Sequence, residues 1–246
     1  MPRGPFDAAR QWLLFASAYY IYRLVRGLVD GKANVAYEHG RNIVDFERSV
    51  HLFFEQDVQQ WAINHSFAIH IADWMYVNSH FLVTTTFLIW LYIARNHAYY
   101  FVRNMFMIAM VFALVGYVLF PTAPPRFFPE WGFTDSVVDY FGAGASQTAG
   151  VLYNPYAAMP SMHVAFALML AVPAMQLMRI RALKVAWAVY PLLVTFVVVA
   201  TGNHFWLDAA FGALVAATSA LLATTAFARF RPEAWAWRAG PAEARA

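Results

Sequence analysis

Long apolar segments with few charged residues recur along this chain. About 20 apolar residues are enough for a helix to cross the hydrocarbon core of a bilayer. Only 13% of the 246 residues are charged, against roughly 25% in an ordinary soluble domain. We therefore expect an all-α polytopic membrane protein with about six transmembrane helices in a single bundle. The predicted spans are residues 9–29, 68–94, 99–120, 160–178, 183–201 and 204–228.

Two long segments between these spans have a different composition. Residues 37–65 mix apolar side chains such as Ile43 and Trp61 with charged ones such as Asp45 and Glu55. That pattern predicts one amphipathic helix on the membrane surface or over the bundle. Residues 121–159 lack helical periodicity and exceed the usual loop length, which predicts a functional lid.

The basic residues gather at alternate ends of the predicted spans. With the N-terminus in the cytoplasm, eleven lysines and arginines lie inside and four outside, as the positive-inside rule favours. We expect both termini to be cytoplasmic, in the plasma membrane of a bacterium. Residues 1–228 are predicted to form one membrane domain and residues 229–246 a disordered cytoplasmic tail. Because membrane orientation explains the basic residues, no nucleic-acid partner is expected.

Three short motifs fall at the same ends of their spans. Pro-Thr-Ala-Pro-Pro-Arg126 follows the third span, Pro-Ser-Met-His163 opens the fourth, and Gly-Asn-His204-Phe-Trp-Leu-Asp208 opens the sixth. Since successive spans alternate in direction, all three motifs lie at the outer membrane face. Ionisable side chains at membrane depth cost about 2.5 to 3.5 kcal/mol each and usually serve a function. We therefore expect the four ionisable side chains of these motifs to meet in one site.

The spacing within these motifs suggests chemistry, although each motif also has a structural interpretation. His204 and Asp208 lie four residues apart on one helical face, which suits either an oriented nucleophilic imidazole or a structural His–Asp pair. Pro160 is predicted to be the first helical residue of the fourth span. The amides of Ser161, Met162 and His163 would then bind an anion with Arg126, or Ser161 and His163 would only cap the helix.

Together, the order Arg, Pro-Ser-x-His and His-x-x-x-Asp resembles the type 2 phosphatidic acid phosphatase superfamily. The residues around these positions are most similar to its inositolphosphotransferase-like branch, which includes inositol phosphorylceramide synthase. The resemblance covers about residues 37–220. It implies a lipid phosphatase or phosphotransferase that cleaves a phosphoester at the outer membrane face through a phosphohistidine intermediate. It implies no metal ion and no other cofactor.

The resemblance also implies roles for individual residues. His204 would be the nucleophile, Asp208 its orienting partner and His163 the general acid, while Arg126 and Ser161 would hold the phosphate. Leu119, Met162 and Val197-Val198 stand where the broad superfamily has Lys, Gly and Ser-Arg, so further phosphate contacts are needed. The candidates are Met162, Asn203, Asn154, Tyr153 and His80.

Two of the remaining polar side chains have open interpretations. His80 is predicted to lie roughly 10 Å deep in its span, where it either faces the cavity or hydrogen-bonds a neighbouring helix. Arg23 and Arg26 are alternative sources of positive charge, but we expect them to extend to the membrane interface.

The predicted partners are a lipid phosphate substrate and the surrounding membrane lipids, with a polyol or sugar as acceptor if the reaction is a transfer. The motifs do not distinguish hydrolysis from transfer. The first alternative is a non-catalytic protein that binds or transports lipid phosphates. A second alternative is a metal-dependent membrane hydrolase. Its metal ligands would be His80, His163, His204 and Asp208. The chain contains no cysteine, which excludes thiolate nucleophiles.

Overall fold

The computed structural model describes residues 4–28, 33–142, 154–227 and 229. Within these ranges the fold is all-α, as predicted, and the only β pairing is an isolated bridge between Thr122 and Ala157. π-helical turns cover Met75–Ser79 and Ala223–Phe227, and 3₁₀ turns cover Pro125–Phe127 and Pro129–Trp131. The α-helices are α1 (Gly4–Leu28), α2 (Ala33–Ser49), α3 (Glu55–Asn64), α4 (Ser66–Trp74), α5 (His80–Ala94), α6 (Asn96–Leu119), α7 (Ser136–Phe141), α8 (Met162–Leu177), α9 (Arg181–Ala200) and α10 (Trp206–Leu222).

Four helical stretches are long and apolar enough to cross a membrane, which indicates an integral multi-pass membrane protein. Helix α8 is apolar but has only 16 residues, and α1 is interrupted by charged residues near both ends. The six-span arrangement and its orientation therefore stay predictions. Of the predicted tail, residues 230–246 lie outside the described part of the chain. The four long stretches are Ser66–Ala94, Asn96–Leu119, Arg181–Ala200 and Trp206–Phe227.

Helix α8 lies at the centre of the bundle, packed against α5, α6, α9 and α10. Ten of its sixteen residues are buried. A helix that is apolar on all sides suits this position, because each of its faces meets another helix. Helix α10 approaches it closely at Gly212, where a Cβ atom would lie 2.3 Å from the carbonyl oxygen of Ser161. The missing side chain therefore lets α10 contact the start of α8.

The single amphipathic helix predicted for residues 37–65 is wrong, because α2 and α3 are separate helices. Helix α2 ends in a Schellman motif: the amide of Leu52 donates to the carbonyl of Glu47 at 2.8 Å, and that of His51 to Arg48 at 3.1 Å. His51 takes the left-handed conformation that this motif requires, with φ of 57°. Histidine adopts that conformation less readily than glycine, so the sequence contains no obvious stop signal here.

The segment over residues 121–159 contains more regular structure than its sequence predicts. It includes both 3₁₀ turns and α7. The amide of Thr122 donates to the carbonyl of Tyr156 at 2.7 Å, so the two ends of the segment lie side by side. Residues 143–153 lie outside the described part of the chain. The lid function stays a prediction.

Candidate active site

A cavity of about 320 Å³ lies between α1, the Met75–Ser79 turn, α6 and the start of α8. Most of the predicted site residues line it, although they come from separate parts of the sequence. Two of the predicted residues, Ser161 and Asp208, are buried behind its wall. Tyr153 lies outside the described residues. The predicted residues that line the cavity are His80, Arg126, Asn154, Met162, His163, Asn203 and His204.

His204 and Asp208 form the pair that their spacing predicts. Nδ1 of His204 lies 3.4 Å from Oδ2 of Asp208. The same carboxylate oxygen accepts a hydrogen bond from the backbone amide of Phe205 at 2.9 Å, which fixes the carboxylate at the start of α10. His204 reaches the cavity and Asp208 does not. The pair therefore presents an imidazole to the cavity with a carboxylate behind it.

His163 lies in the first turn of α8 and faces His204 across the cavity, with their ring centroids 5.8 Å apart. Its ring also lies 4.6 Å from that of His80 and stacks on Tyr76 at 4.6 Å. His80 therefore faces the cavity, and its ring stacks on Phe166 rather than anchoring a neighbouring helix by a hydrogen bond. Tyr76 was not predicted as a site residue, although it lies four residues before His80.

Arg126 forms part of the wall of the cavity, and its side chain is 8% exposed. Its amide donates to the carbonyl of Gly202 at 2.9 Å, which attaches the Pro125–Phe127 turn to the segment before His204. Its Nε lies 3.2 Å from Oδ2 of Asp135, and Nη1 donates to Oδ1 of Asn203. The guanidinium is thus held by two side chains before any ligand binds.

The predicted role of the fourth span's start needs correction. Helix α8 begins at Met162, so Pro160 precedes the helix rather than occupying its first position. The amide of Ser161 donates to the carbonyl of Asp208 at 2.9 Å and does not face an anion. The hydroxyl of Ser161 is buried, and no described residue hydrogen-bonds it. Ser161 therefore joins α8 to α10 instead of lining the cavity.

Their sequence context predicts that Arg23 and Arg26 extend to the membrane interface. In the structure both line the cavity instead. Tyr19 and Tyr22 line it too, so one face of α1 forms a wall. The side chain of Asn154 donates to the backbone carbonyl of Arg26 at 2.9 Å. The long arginine side chains allow either position, and tertiary packing decides between them.

Glu47 and Glu55 do not line the cavity but hold the start of α10 beside it, a role that their sequence context did not predict. Both are fully buried, and their carboxyl oxygens accept hydrogen bonds from the first amides of α10: Glu55 from Trp206 at 3.0 Å and Glu47 from Leu207 at 3.4 Å. Burial, and then the charge of Glu55, raises the pKa of Glu47 to about 10. Burial also raises the pKa of Glu55. One signal was available in the sequence, because Glu47 continues the stripe of buried residues on α2.

No group of three or more His, Asp or Glu side chains in the described ranges is arranged to hold a metal ion. The metal-dependent alternative therefore gains no support from this geometry. The cavity instead joins two facing histidines, a carboxylate behind one of them and three arginines, which suits chemistry on a phosphate group.

Comparison with known proteins is consistent with this interpretation. Residues 41–222, about three quarters of the chain, match the sequence profile of the PAP2 superfamily. No curated protein and no solved structure matches the chain. The matched range contains all three motifs, but the match does not extend to the inositolphosphotransferase-like branch, which stays a prediction. The chain belongs to the PAP2 superfamily, whose members are typically phosphoesterases.

Proposed function

We propose that this protein is a lipid phosphatase or phosphotransferase that acts through a phosphohistidine at His204. The observation that carries the proposal is the pair of histidines in one cavity. Their ring centroids are 5.8 Å apart, and Asp208 lies 3.4 Å from the Nδ1 atom of His204. This separation allows one phosphate group to contact both rings.

In the first step, Nε2 of His204 attacks phosphorus while the bond from phosphorus to the lipid oxygen breaks. The carboxylate of Asp208 stabilises the proton on Nδ1 and keeps Nε2 available as the nucleophile. His163 gives a proton to the departing oxygen. Arg126 stabilises the charge that develops on the non-bridging oxygens.

In the second step, a water molecule or an acceptor hydroxyl attacks the phosphohistidine. His163 takes the proton of the attacking oxygen, and the bond between phosphorus and nitrogen breaks. Attack by water makes the protein a phosphatase. Attack by a polyol or sugar hydroxyl makes it a phosphotransferase.

The surroundings of the cavity support a lipid substrate. Val77 and Phe81 line its edge and are 46% and 66% exposed in a helix long enough to span a membrane. An alkyl chain in the membrane would contact these apolar side chains while its phosphate enters the cavity. The distribution of basic residues supports an extracytoplasmic opening.

The test measures phosphate release from a panel of lipid phosphates by purified protein in detergent with EDTA, with and without inositol. We expect turnover by wild type, an acid-labile phosphoenzyme, and loss of both in His204→Ala. His70→Ala serves as the control, because His70 is exposed and does not line this cavity. Formation of a new lipid only with inositol would assign the transferase reaction.

Each alternative function has a distinct outcome. Loss of turnover on addition of EDTA would support the metal-dependent hydrolase. Binding of lipid phosphates by folded wild-type protein, without turnover of any of them, would support a binding or transport protein.

A further inference from the structure

A second cavity, of about 420 Å³, lies between α4 and α7 and shares no described lining residue with the candidate active site. On α7, Ser136, Asp139 and Tyr140 line it, and their spacing of three and four residues places them on one helical face. Ile69 and Asp73, four residues apart on α4, form the opposite face. The volume is within the range of roughly 300–1,000 Å³ that small-ligand pockets occupy.

Asp73 is the buried acid of this second cavity, with only 1% of its surface exposed. Its Oδ1 accepts a hydrogen bond from the hydroxyl of Ser136 at 2.7 Å. Its Oδ2 has no hydrogen-bond donor among the described residues, yet it is not sealed from the cavity. Burying a carboxylate without a partner for each oxygen is costly. A ligand that donates a hydrogen bond to Oδ2 would therefore stabilise Asp73.

The charge of the second cavity favours a positive ligand. Its described lining contains two carboxylates, those of Asp73 and Asp139, and neither Arg nor Lys. The only base there is His70, whose ring lies against that of Tyr140 with the centroids 4.9 Å apart. Two carboxylates beside a single histidine attract a cation.

The donor set suits an organic cation better than a metal ion. In the described ranges, no three His, Asp or Glu side chains are arranged to coordinate a metal. A primary ammonium group needs no such coordination shell, because it has three N–H donors and a positive charge in one small group. One donor can reach Oδ2 of Asp73, and the ring of Tyr140, which is 43% exposed, can contact the adjoining carbon atoms.

The position of the second cavity along the chain points to a lipid as the source of that cation. It lies at one end of Ser66–Ala94, a stretch long enough to cross a membrane. Asp73 is seven residues from that end, about 10 Å at the helical rise of 1.5 Å per residue. Trp61 and Trp74 are exposed on the same part of the chain, and exposed tryptophans are typical of the zone of lipid headgroups.

We propose that the second cavity binds the primary ammonium group of a lipid headgroup, with Asp73 as the hydrogen-bond acceptor. The hydroxyl of Ser136 holds Oδ1 in place, and the ammonium group supplies the donor that Oδ2 lacks. Asp139 adds negative charge at the rim. This site goes beyond the proposed function, because it lies outside the candidate active site and needs no turnover.

The test measures binding of short-chain lipids to the full-length protein in detergent by calorimetry. Dihexanoyl phosphatidylethanolamine carries a primary ammonium group. Dihexanoyl phosphatidylglycerol has the same chains and phosphodiester without an ammonium group, and dihexanoyl phosphatidylcholine has an ammonium group without N–H donors. We expect the ethanolamine lipid to bind at least tenfold more tightly than either of the others. Binding of the shared phosphodiester in the candidate active site would contribute equally to all three.

Two variants locate the preference in the second cavity. Asp73→Asn removes the charge and keeps an oxygen that accepts from Ser136, so we expect the preference to fall below threefold. Asp139→Asn, at an exposed position, should reduce it by a smaller factor and tests the site even if Asp73→Asn lowers the unfolding temperature. Asp57→Asn is the matched control and should keep the full preference, since Asp57 is an exposed acid of α3 outside both cavities.

Each contrary result has a defined meaning. Equal binding of the ethanolamine and glycerol lipids by wild type, or a full preference in both Asp73→Asn and Asp139→Asn, would overturn the site. Equal binding of the choline lipid would overturn the hydrogen bond to Asp73. Free ethanolamine bound as tightly as its lipid would make a soluble amine the ligand and overturn the lipid source. None of these results depends on phosphoester cleavage, so the proposed function is tested separately.

Discussion

Asp208 connects three parts of the candidate site. Its side chain lies beside Nδ1 of His204 and accepts a hydrogen bond from the amide of Phe205, while its carbonyl accepts one from Ser161. The residue thus links the proposed nucleophile to the starts of both α8 and α10. A useful substitution must remove the negative charge and leave these backbone contacts in place.

Asp208→Asn meets that requirement, since asparagine keeps an oxygen that accepts from Phe205. We expect kcat to fall about 10²- to 10⁴-fold with little change in KM, because an amide does not stabilise the charged imidazole. Steady-state kinetics on the best lipid phosphate would measure this. Unfolding temperatures serve as the control for folding, and a kcat within threefold of wild type would contradict the role of Asp208.

Some positions in the site are predictable from the sequence and others are not. The His204–Asp208 contact was predicted from helical spacing, but His204 precedes α10, which begins at Trp206, so the contact depends on how the chain enters the helix. The cavity-facing position of Arg23 and Arg26 does not follow from helical spacing either. Which face of α1 is turned towards the cavity depends on how α1 packs in the bundle, and the sequence of α1 alone does not determine that packing.

At the scale of single elements, α10 is held at its start by Glu47 and Glu55. An acid with a higher pKa in the folded state than the usual 4.5 binds its proton more tightly when folded. The stability contributed by Glu47 is therefore fully present below about pH 4.5 and is lost as the pH rises towards about 10. Part of α10's attachment should weaken in alkaline solution.

Glu47→Gln should reduce this pH dependence, because glutamine stays neutral and its oxygen can still accept from Leu207. We expect the unfolding temperature of wild type to fall between pH 5 and pH 9, and that of Glu47→Gln to fall less. Glu38→Gln, at an exposed position of α2, is the control. Parallel curves for wild type and Glu47→Gln would contradict the prediction.

A second prediction at this scale concerns the contact between α10 and α8. In Gly212→Ala the new methyl group would meet the carbonyl oxygen of Ser161, so the helices must separate. We expect a loss of about 1 to 3 kcal/mol in the free energy of unfolding, and a lower kcat because His204 moves relative to His163.

Chemical denaturation in detergent, together with the lipid phosphatase assay, would measure both effects. Ala217→Leu adds more volume at an exposed position of the same helix and should change neither quantity much. Equal stability and activity of Gly212→Ala and wild type would show that neither property depends on the close contact between α8 and α10.

The elements themselves were predictable to different degrees. Uniformly apolar segments predicted the bounds of the four long apolar helices to within a few residues, because burial in lipid imposes a simple composition. The break between α2 and α3 was not predictable, since it depends on a left-handed His51 without a nearby glycine or proline. Glu47 shares the apolar face of α2, but Glu55 resembles an ordinary polar position until both helices are folded together.

At the scale of the whole molecule, the edge of the cavity beside Val77 and Phe81 predicts lateral entry of the substrate. Phe81→Gln should raise KM several-fold for a long-chain lipid phosphate, because its alkyl chain loses an apolar contact at the entrance. The KM for the small ester p-nitrophenyl phosphate should stay unchanged.

Kinetics with both substrates would test this prediction. Ile89→Gln is the matched control, since Ile89 is 54% exposed on the same helix and does not line the cavity. An equal rise in KM for both substrates in Phe81→Gln would point to damage inside the site instead of a lost apolar contact at the entrance.

The π-helical turn at Met75–Ser79 has a consequence for how this site can change. Such a turn is equivalent to one additional residue in an α-helix. Deleting one residue there would therefore turn the bulge into regular α-helix and leave α5 facing the same way. The same deletion within the regular part of α4 would rotate α5 by about 100° relative to the start of α4, and His80 and Phe81 would leave the cavity together. The chain can thus lose a residue at this turn without exchanging a wall of the site, which the regular turns of α4 do not allow.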